Sequence, residues 1–158
     1  MAETLVTVLP GIEVVPLSNG NYVLRSEECG ASEIHVFPEV TNGTITLTAH
    51  ANANTFSTWA EVLDNLGVSL TVKFATEGGY IVDATMFLFS QATTMYLVEF
   101  AYGAAKVIVA RAMVFSDWTY VIPMKSRRIP SGETVYYRLM CQTAGGKTCR
   151  IAFRYFYE

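Results

Sequence analysis

The stretch TVYYRLMCQTAGGKTCRIAFRYFY, residues 134–157, decides how the chain is read. Both arms alternate around Thr143-Ala144-Gly145-Gly146-Lys147. Val135, Tyr137, Leu139 and Cys141 share one face of the first arm; Cys149, Ile151, Phe153 and Tyr155 share one face of the second. Period-2 alternation flanking a Gly-Gly turn predicts a β-hairpin. Opposed residues of an antiparallel pair lie on the same side of a sheet. A three-residue loop, Ala144–Gly146, therefore sets Cys141 against Cys149, Leu139 against Ile151, Tyr137 against Phe153 and Val135 against Tyr155. A two-residue loop would oppose Tyr137 and Arg154 and mix apolar with charged faces, a costly slip when one face is buried. The other face then collects Tyr136, Arg138, Met140, Arg150 and Arg154.

Composition bounds the rest. The chain has 158 residues, 51% hydrophobic and only 16% charged, against roughly 25% charged in an average globular domain. Mean hydropathy is +0.29, yet no apolar run approaches the ~18 residues of a membrane helix. A single domain spanning 1–158 is expected, with residues 1–17 as an N-terminal arm or edge strands. So much apolar composition in so short a chain implies a surface covered by a partner. The charge is also split. Residues 1–104 carry eleven acids and two bases, a net of −9. Residues 105–158 carry nine bases and three acids, a net of +6. That asymmetry predicts a basic surface, with Arg127 and Arg128 beside the hairpin arginines, meeting an acidic neighbour.

Taken in order, strands are expected at 4–9, 12–16, 22–25, 33–37 and 44–49, each bounded by Gly, Pro or Asn turns. Thr58-Trp59-Ala60-Glu61 fits a capping box, and Trp59, Val62, Leu63 and Leu66 recur at helical spacing before Gly67; one short helix near 58–66 is predicted. Strands follow at 68–75, 80–90, 95–102, 106–115 and 118–123. Those between 80 and 115 are apolar on both faces, so their outer faces are expected to meet neighbouring subunits. The many short strands define an all-β chain, a jelly-roll-like antiparallel β-sandwich, with an immunoglobulin-like sandwich as the second choice.

The sequence offers little for catalysis. His35 and His50 lack the companions of a metal cluster, and no paired-cysteine zinc spacing occurs. Asp83 and Glu99, placed in adjacent long strands, could approach as a carboxylate pair of the kind glycosidases use. There is no nucleophile elbow or phosphate loop. The expectation is a non-enzyme without catalytic residues, metal or cofactor. Arg with Tyr could hold a single-stranded nucleic acid, but the chain is acidic, pI ≈ 5.4, so no nucleic acid and no membrane are expected as partners. Cys141 and Cys149 either bridge or remain buried thiols, leaving Cys29 over. No secretory signal is visible at the N-terminus.

At SGETVYYRLMCQTAGGKTCRIAFRYFYE, residues 131–158, the chain resembles the jelly-roll decoration, or cement, proteins of tailed bacteriophages. The likeness is one of size, low charge and Thr/Ala/Gly-rich strands. It implies a structural virion protein on the outside of a capsid, assembled in the host cytoplasm. It further implies a homotrimer bound to the major capsid protein. Arg127, Arg128, Arg138, Arg150, Arg154, Tyr136 and Met140 are the expected partner interface. Charge reversal at Arg138 and Arg154 should then weaken attachment and spare the fold. The alternative is a carbohydrate-binding module or the receptor-binding head of a viral fibre, with Trp59, Trp118 and Tyr120 as sugar-stacking candidates.

Overall fold

A computed structural model describes residues 12–16, 22–26, 33–39, 43–124 and 126–157. The chain divides into two compact units, 1–33 and 34–158. The first contains β1 (Ile12–Pro16) and β2 (Tyr22–Ser26), an antiparallel pair with Ile12 opposite Ser26 and Pro16 opposite Tyr22. The strand expected at 4–9 lies outside the described residues.

The second unit holds β3 (His35–Phe37), β4 (Ile45–Thr48), β5 (Ala60–Glu61), α1 (Leu70–Lys73), β6 (Gly79–Phe87) and β7 (Met95–Tyr102). It continues with β8 (Val107–Phe115), β9 (Tyr120–Pro123), β10 (Val135–Cys141) and β11 (Thr148–Tyr157). One sheet runs β5-β10-β7-β8; the other runs β3-β11-β6-β9, with β4 also on β11. All pairings are antiparallel. From β4 onward, every connection crosses between sheets except β7 to β8. That alternation is the double-sheet order of a jelly roll, as the strand pattern predicted.

The terminal stretch is a correction. β10 pairs with β5 and β7, whereas β11 pairs with β3, β4 and β6. The two arms do not pair with each other. They form an arch between sheets. The loop's backbone groups go elsewhere: Gln142 N donates to Met95 O at 2.9 Å, Gly145 N to Ala51 O at 2.7 Å, and Lys147 O accepts from Ala49 N at 2.8 Å. Gly145 and Gly146 have φ of +98° and +59°, the left-handed region where glycine carries no Cβ penalty. The buried faces are nevertheless those that the alternation predicts. Val135, Tyr137, Leu139 and Cys141 are buried, and so are Cys149, Ile151, Phe153 and Tyr155. They meet across one core, where Phe100 of β7 packs edge-on against Phe153 of β11 at 5.3 Å. Alternation reports which side is buried and is silent about which strand lies alongside.

The helix is the second correction. Residues 58–66 are not helical. Ser57 N donates to Leu139 O at 2.9 Å, Ser57 Oγ accepts from Leu139 N at 3.0 Å, and Val62 N donates to Val135 O at 2.9 Å. A ladder to an existing strand outweighs two turns of marginal helix. Asp64 then closes a turn, its Oδ1 accepting from Leu66 N at 2.9 Å and Val68 N at 2.8 Å. The helix forms at Leu70–Lys73 instead of the strand expected there, with Ser69 Oγ accepting from Thr71 N at 3.0 Å as its N-cap. Leu70 and Phe74, four apart, are both buried, while Val72 between them is 61% exposed. That is helical spacing, not alternation.

Phe74 joins an aromatic group at one end of the sandwich. It meets Tyr155 edge-on at 5.5 Å, and His35 lies 4.9 Å from Tyr157. Tyr155 Oη donates to Glu39 Oε1 at 2.9 Å, and Lys73 pairs with Glu39 at 2.9 Å. The Lys73 bond, then that of Tyr155, holds the Glu39 carboxyl below its ordinary range. Burial, followed by bonds to Tyr157 and Glu39, pushes the Tyr155 phenol upward.

Candidate functional site

The outer face of the β5-β10-β7-β8 sheet is built from cross-strand rows fixed by register. Arg138, Glu99 and Arg111 lie directly opposite one another on β10, β7 and β8. On one side comes the row Met140, Leu97, Met113, then Met95 opposite Phe115; on the other comes Tyr136, Ala101, Ile108. The face is therefore one ionic row flanked by apolar rows. Met113 is 67% exposed, Ile108 42%, Phe115 40% and Met95 39%.

The ionic row is internally satisfied. Glu99 is 1% exposed. Its Oε2 accepts from Arg138 Nε at 2.6 Å and its Oε1 from Arg111 Nε at 2.5 Å. Charge-assisted bonds of this kind keep a buried carboxylate solvated by protein. The Arg138 guanidinium also lies 4.4 Å from the Phe56 ring and 4.7 Å from the Trp59 ring, so Trp59 packs on the sheet exterior under a cation. Lys106 Nζ sits 3.3 Å over Tyr136.

The expected interface residues do not form one surface. Tyr136, Arg138 and Met140 lie on the exterior of the β10 sheet. Arg150 and Arg154 lie on the exterior of the β11 sheet, the opposite side of the sandwich. The reason is the arch: adjacent arms placed in different sheets turn their outward residues in opposite directions. Arg127 and Arg128 are exposed in the connection from β9 to β10. Arg154 Nε donates to Asp83 at 2.9 and 3.1 Å, and its terminal nitrogen pairs with Asp83 as well; that bond raises the guanidinium pKa further. Asp83 and Glu99 stand on opposite exteriors, Asp83 holding one arginine and Glu99 two, so they are not a carboxylate pair. The acidic first half thus neutralises part of the basic second half within one chain. Arg138 and Arg154 cannot be reversed in charge without setting an acid against a buried acid.

The residues that sequence reasoning passed over are Met113, Phe115, Met95 and Ile108. Their signal was the doubly apolar character of the strands between 80 and 115; in β8, Met113 and Phe115 follow Arg111 at spacing two. Trp118, 73% exposed, stands in the loop from β8 to β9. His50 Nδ1 accepts from Asn52 N at 3.0 Å. Among the described residues no cluster of His, Cys, Asp or Glu could hold a metal ion, and no helix is long and apolar enough to cross a membrane. Cys141 and Cys149 are free thiols.

No protein-family model and no curated protein matches the chain. Among solved structures it is similar to two chains from infectious bursal disease virus. For the Gt strain the TM-score is 0.35 at 6% identity, over 93% of this chain and 38% of the other. For the Gx strain it is 0.34 at 10% identity, over 98% and 41%. The chain spans about two fifths of the length of those structures.

Proposed function

We propose that the chain is a structural subunit of a virion, a decoration protein that binds the outside of a capsid shell and stabilises it. The observation that supports this reading is the exterior of the β5-β10-β7-β8 sheet, with four large apolar side chains 39–67% exposed around an ionic row already satisfied. Covering apolar surface is favourable by roughly 25 cal/mol per Å². A face with its charges paired can be covered without stranding a bare carboxylate. The proposed occupant is the neighbouring major capsid protein. A ligand that binds only the assembled shell stabilises that state by linkage. Of the arginines, Arg138 keeps a role here, with Arg111, as the internal frame of the face.

Co-sedimentation with decoration-free shells of the virus that encodes the chain tests this. Met95→Asp combined with Met140→Asp should reduce attachment at least tenfold while the circular dichroism spectrum of the isolated chain is retained. Full attachment of that folded variant refutes the reading. The exposure of Trp118 favours a second reading, carbohydrate binding by the loop from β8 to β9. Saturable binding on a glycan array, lost in Trp118→Ala, would establish it in place of the first.

A further inference from the structure

The four sheet edges of the sandwich are unequal. β5 is two residues long, β3 and β4 are three and four, and β9 is four and ends at Pro123. These are the short or proline-ended edges with which sheets avoid unwanted pairing. β8 is nine residues long. It pairs with β7 along one side, and among the described residues no strand pairs with its other side. Between Val107 and Phe115 there is no Pro, no Lys and one charge, Arg111, already held by Glu99. This edge lacks the protections that the others carry.

We propose that β8 pairs antiparallel with β8 of a second copy of this chain, joining two four-stranded sheets into one of eight. The strand is self-complementary in the way a two-fold contact requires. Only registers that oppose like faces are admissible, because a one-residue slip would set core-facing side chains against outward ones. An axis at Arg111 opposes two arginines, which is unfavourable. An axis at Ala112 brings Phe115 against Val109, at the irregular step of β8 where the register with β7 shifts. An axis at Met113 avoids both. It sets Met113 against its own copy, Ala112 against Val114, and each Arg111 against Phe115 of the second copy, a cation–aromatic pairing. It also makes the exposed apolar rows of the two copies continuous. The inference stands on the edge and its sequence; it does not rest on the capsid reading.

Light scattering and cysteine cross-linking test it together. The chain should have twice its 17.5 kDa mass in solution. Met113→Cys should form a reducible covalent dimer that the unaltered chain does not form. Ile108→Cys should not, because in this register the two Ile108 positions lie about 33 Å apart at ~3.3 Å per residue. Met113→Lys should weaken association at least tenfold with the circular dichroism spectrum unchanged. A mass of one chain overturns the proposal, and so does a mass of three, the arrangement that the resemblance to cement proteins implies. A dimer that cross-links through Ile108→Cys instead also overturns it. Failure of shell attachment leaves each of these readouts untouched, so the two proposals fall separately.

Discussion

Cys141 is the last residue of β10 and Cys149 the second of β11, in opposite sheets, and both thiols are free and buried. The Cys149 thiol is pushed up to about 12 by burial, with Cys141 adding to it. Tyr96 is likewise pushed up to about 12, again by burial first and then by Cys141. A folded-state pKa above the unfolded one means that the native state keeps its proton where the unfolded state releases it. The associated stability is complete below the unfolded value, near 9 for a thiol and 10 for a phenol, and is lost as pH climbs toward 12. Urea midpoints should therefore hold to about pH 8 and fall steeply above about pH 9. Cys149→Ala should show a shallower alkaline decline than the unaltered chain. Cys29 lies outside the described residues; Cys141 and Cys149 should react slowly with an aromatic disulfide reagent at pH 8 and rapidly in denaturant, and fast native labelling at these two positions would contradict their burial.

The Arg138–Glu99–Arg111 row predicts unequal costs for its two arginines. The Arg138 side chain is 29% exposed and lies against two aromatic rings; that of Arg111 is 59% exposed. Losing either leaves Glu99 with one cation. Losing Arg138 also uncovers the buried carboxylate and the faces of Phe56 and Trp59. Arg138→Met should cost about 2 kcal/mol in denaturant unfolding, in the range for a buried charged group losing a partner. Arg111→Met should cost under about 1 kcal/mol, as an exposed ion pair does. Equal costs would mean that the ring contacts contribute nothing.

Gly79 and Gly67 separate lack of space from backbone conformation. A Cβ at Gly79 would meet Phe156 O at 2.3 Å and the Phe74 ring at 2.7 Å. Gly67 has φ of +80°, with nothing within 4 Å of a Cβ. Gly79→Ala should cost about 3 kcal/mol, the upper end for overpacking, because backbone and a buried ring must both move. Gly67→Ala should cost about 1 kcal/mol, the left-handed penalty alone. Thermal unfolding of the pair checks the order; a tolerated Gly79→Ala would mean that β6 and β11 can separate locally.

Much of the fold was legible because period-2 alternation depends only on one face being wet and the other dry. β7 falls at Met95–Tyr102 and β1 at Ile12–Pro16, as expected. What alternation cannot carry is the identity of the neighbour, and so the terminal arch read as a hairpin. That single misreading merged Arg138 with Arg154, which stand on opposite exteriors. Pairing between distant strands also hid the fate of the arginines. The partners Glu99 and Asp83 are 39 and 71 residues away, and nothing local in the sequence marks them. Met113 and Phe115 were visible only as members of strands apolar on both sides. Their grouping into rows with Leu97 and Met95 follows from register, which is a property of the pair.

The segment between β5 and α1 shows why local signals misled there, and it supplies a test. Thr58 to Leu66 has a capping box and apolar spacing, yet the helix forms after Ser69. Asp64, 8% exposed, decides this. Its carboxylate accepts from Leu66 N and Val68 N, turning the chain before a helix could run through it. The turn is closed by Asp64 N donating to Val68 O at 2.9 Å, and Leu63 bridges to Ser69. Glu61, the residue that would have completed the capping box, instead accepts from Ser69 Oγ and from Thr71 Oγ1, the latter at 3.2 Å. Asp64→Ala leaves two backbone donors unpaired and should cost about 2 kcal/mol. Ser69→Ala removes an N-cap and should cost about 1 kcal/mol. Asp64→Asn keeps the acceptor oxygen and should restore most of the loss. If Asp64→Ala unfolds at the same denaturant concentration as the unaltered chain, the turn is held by the β5–β10 ladder and not by its carboxylate.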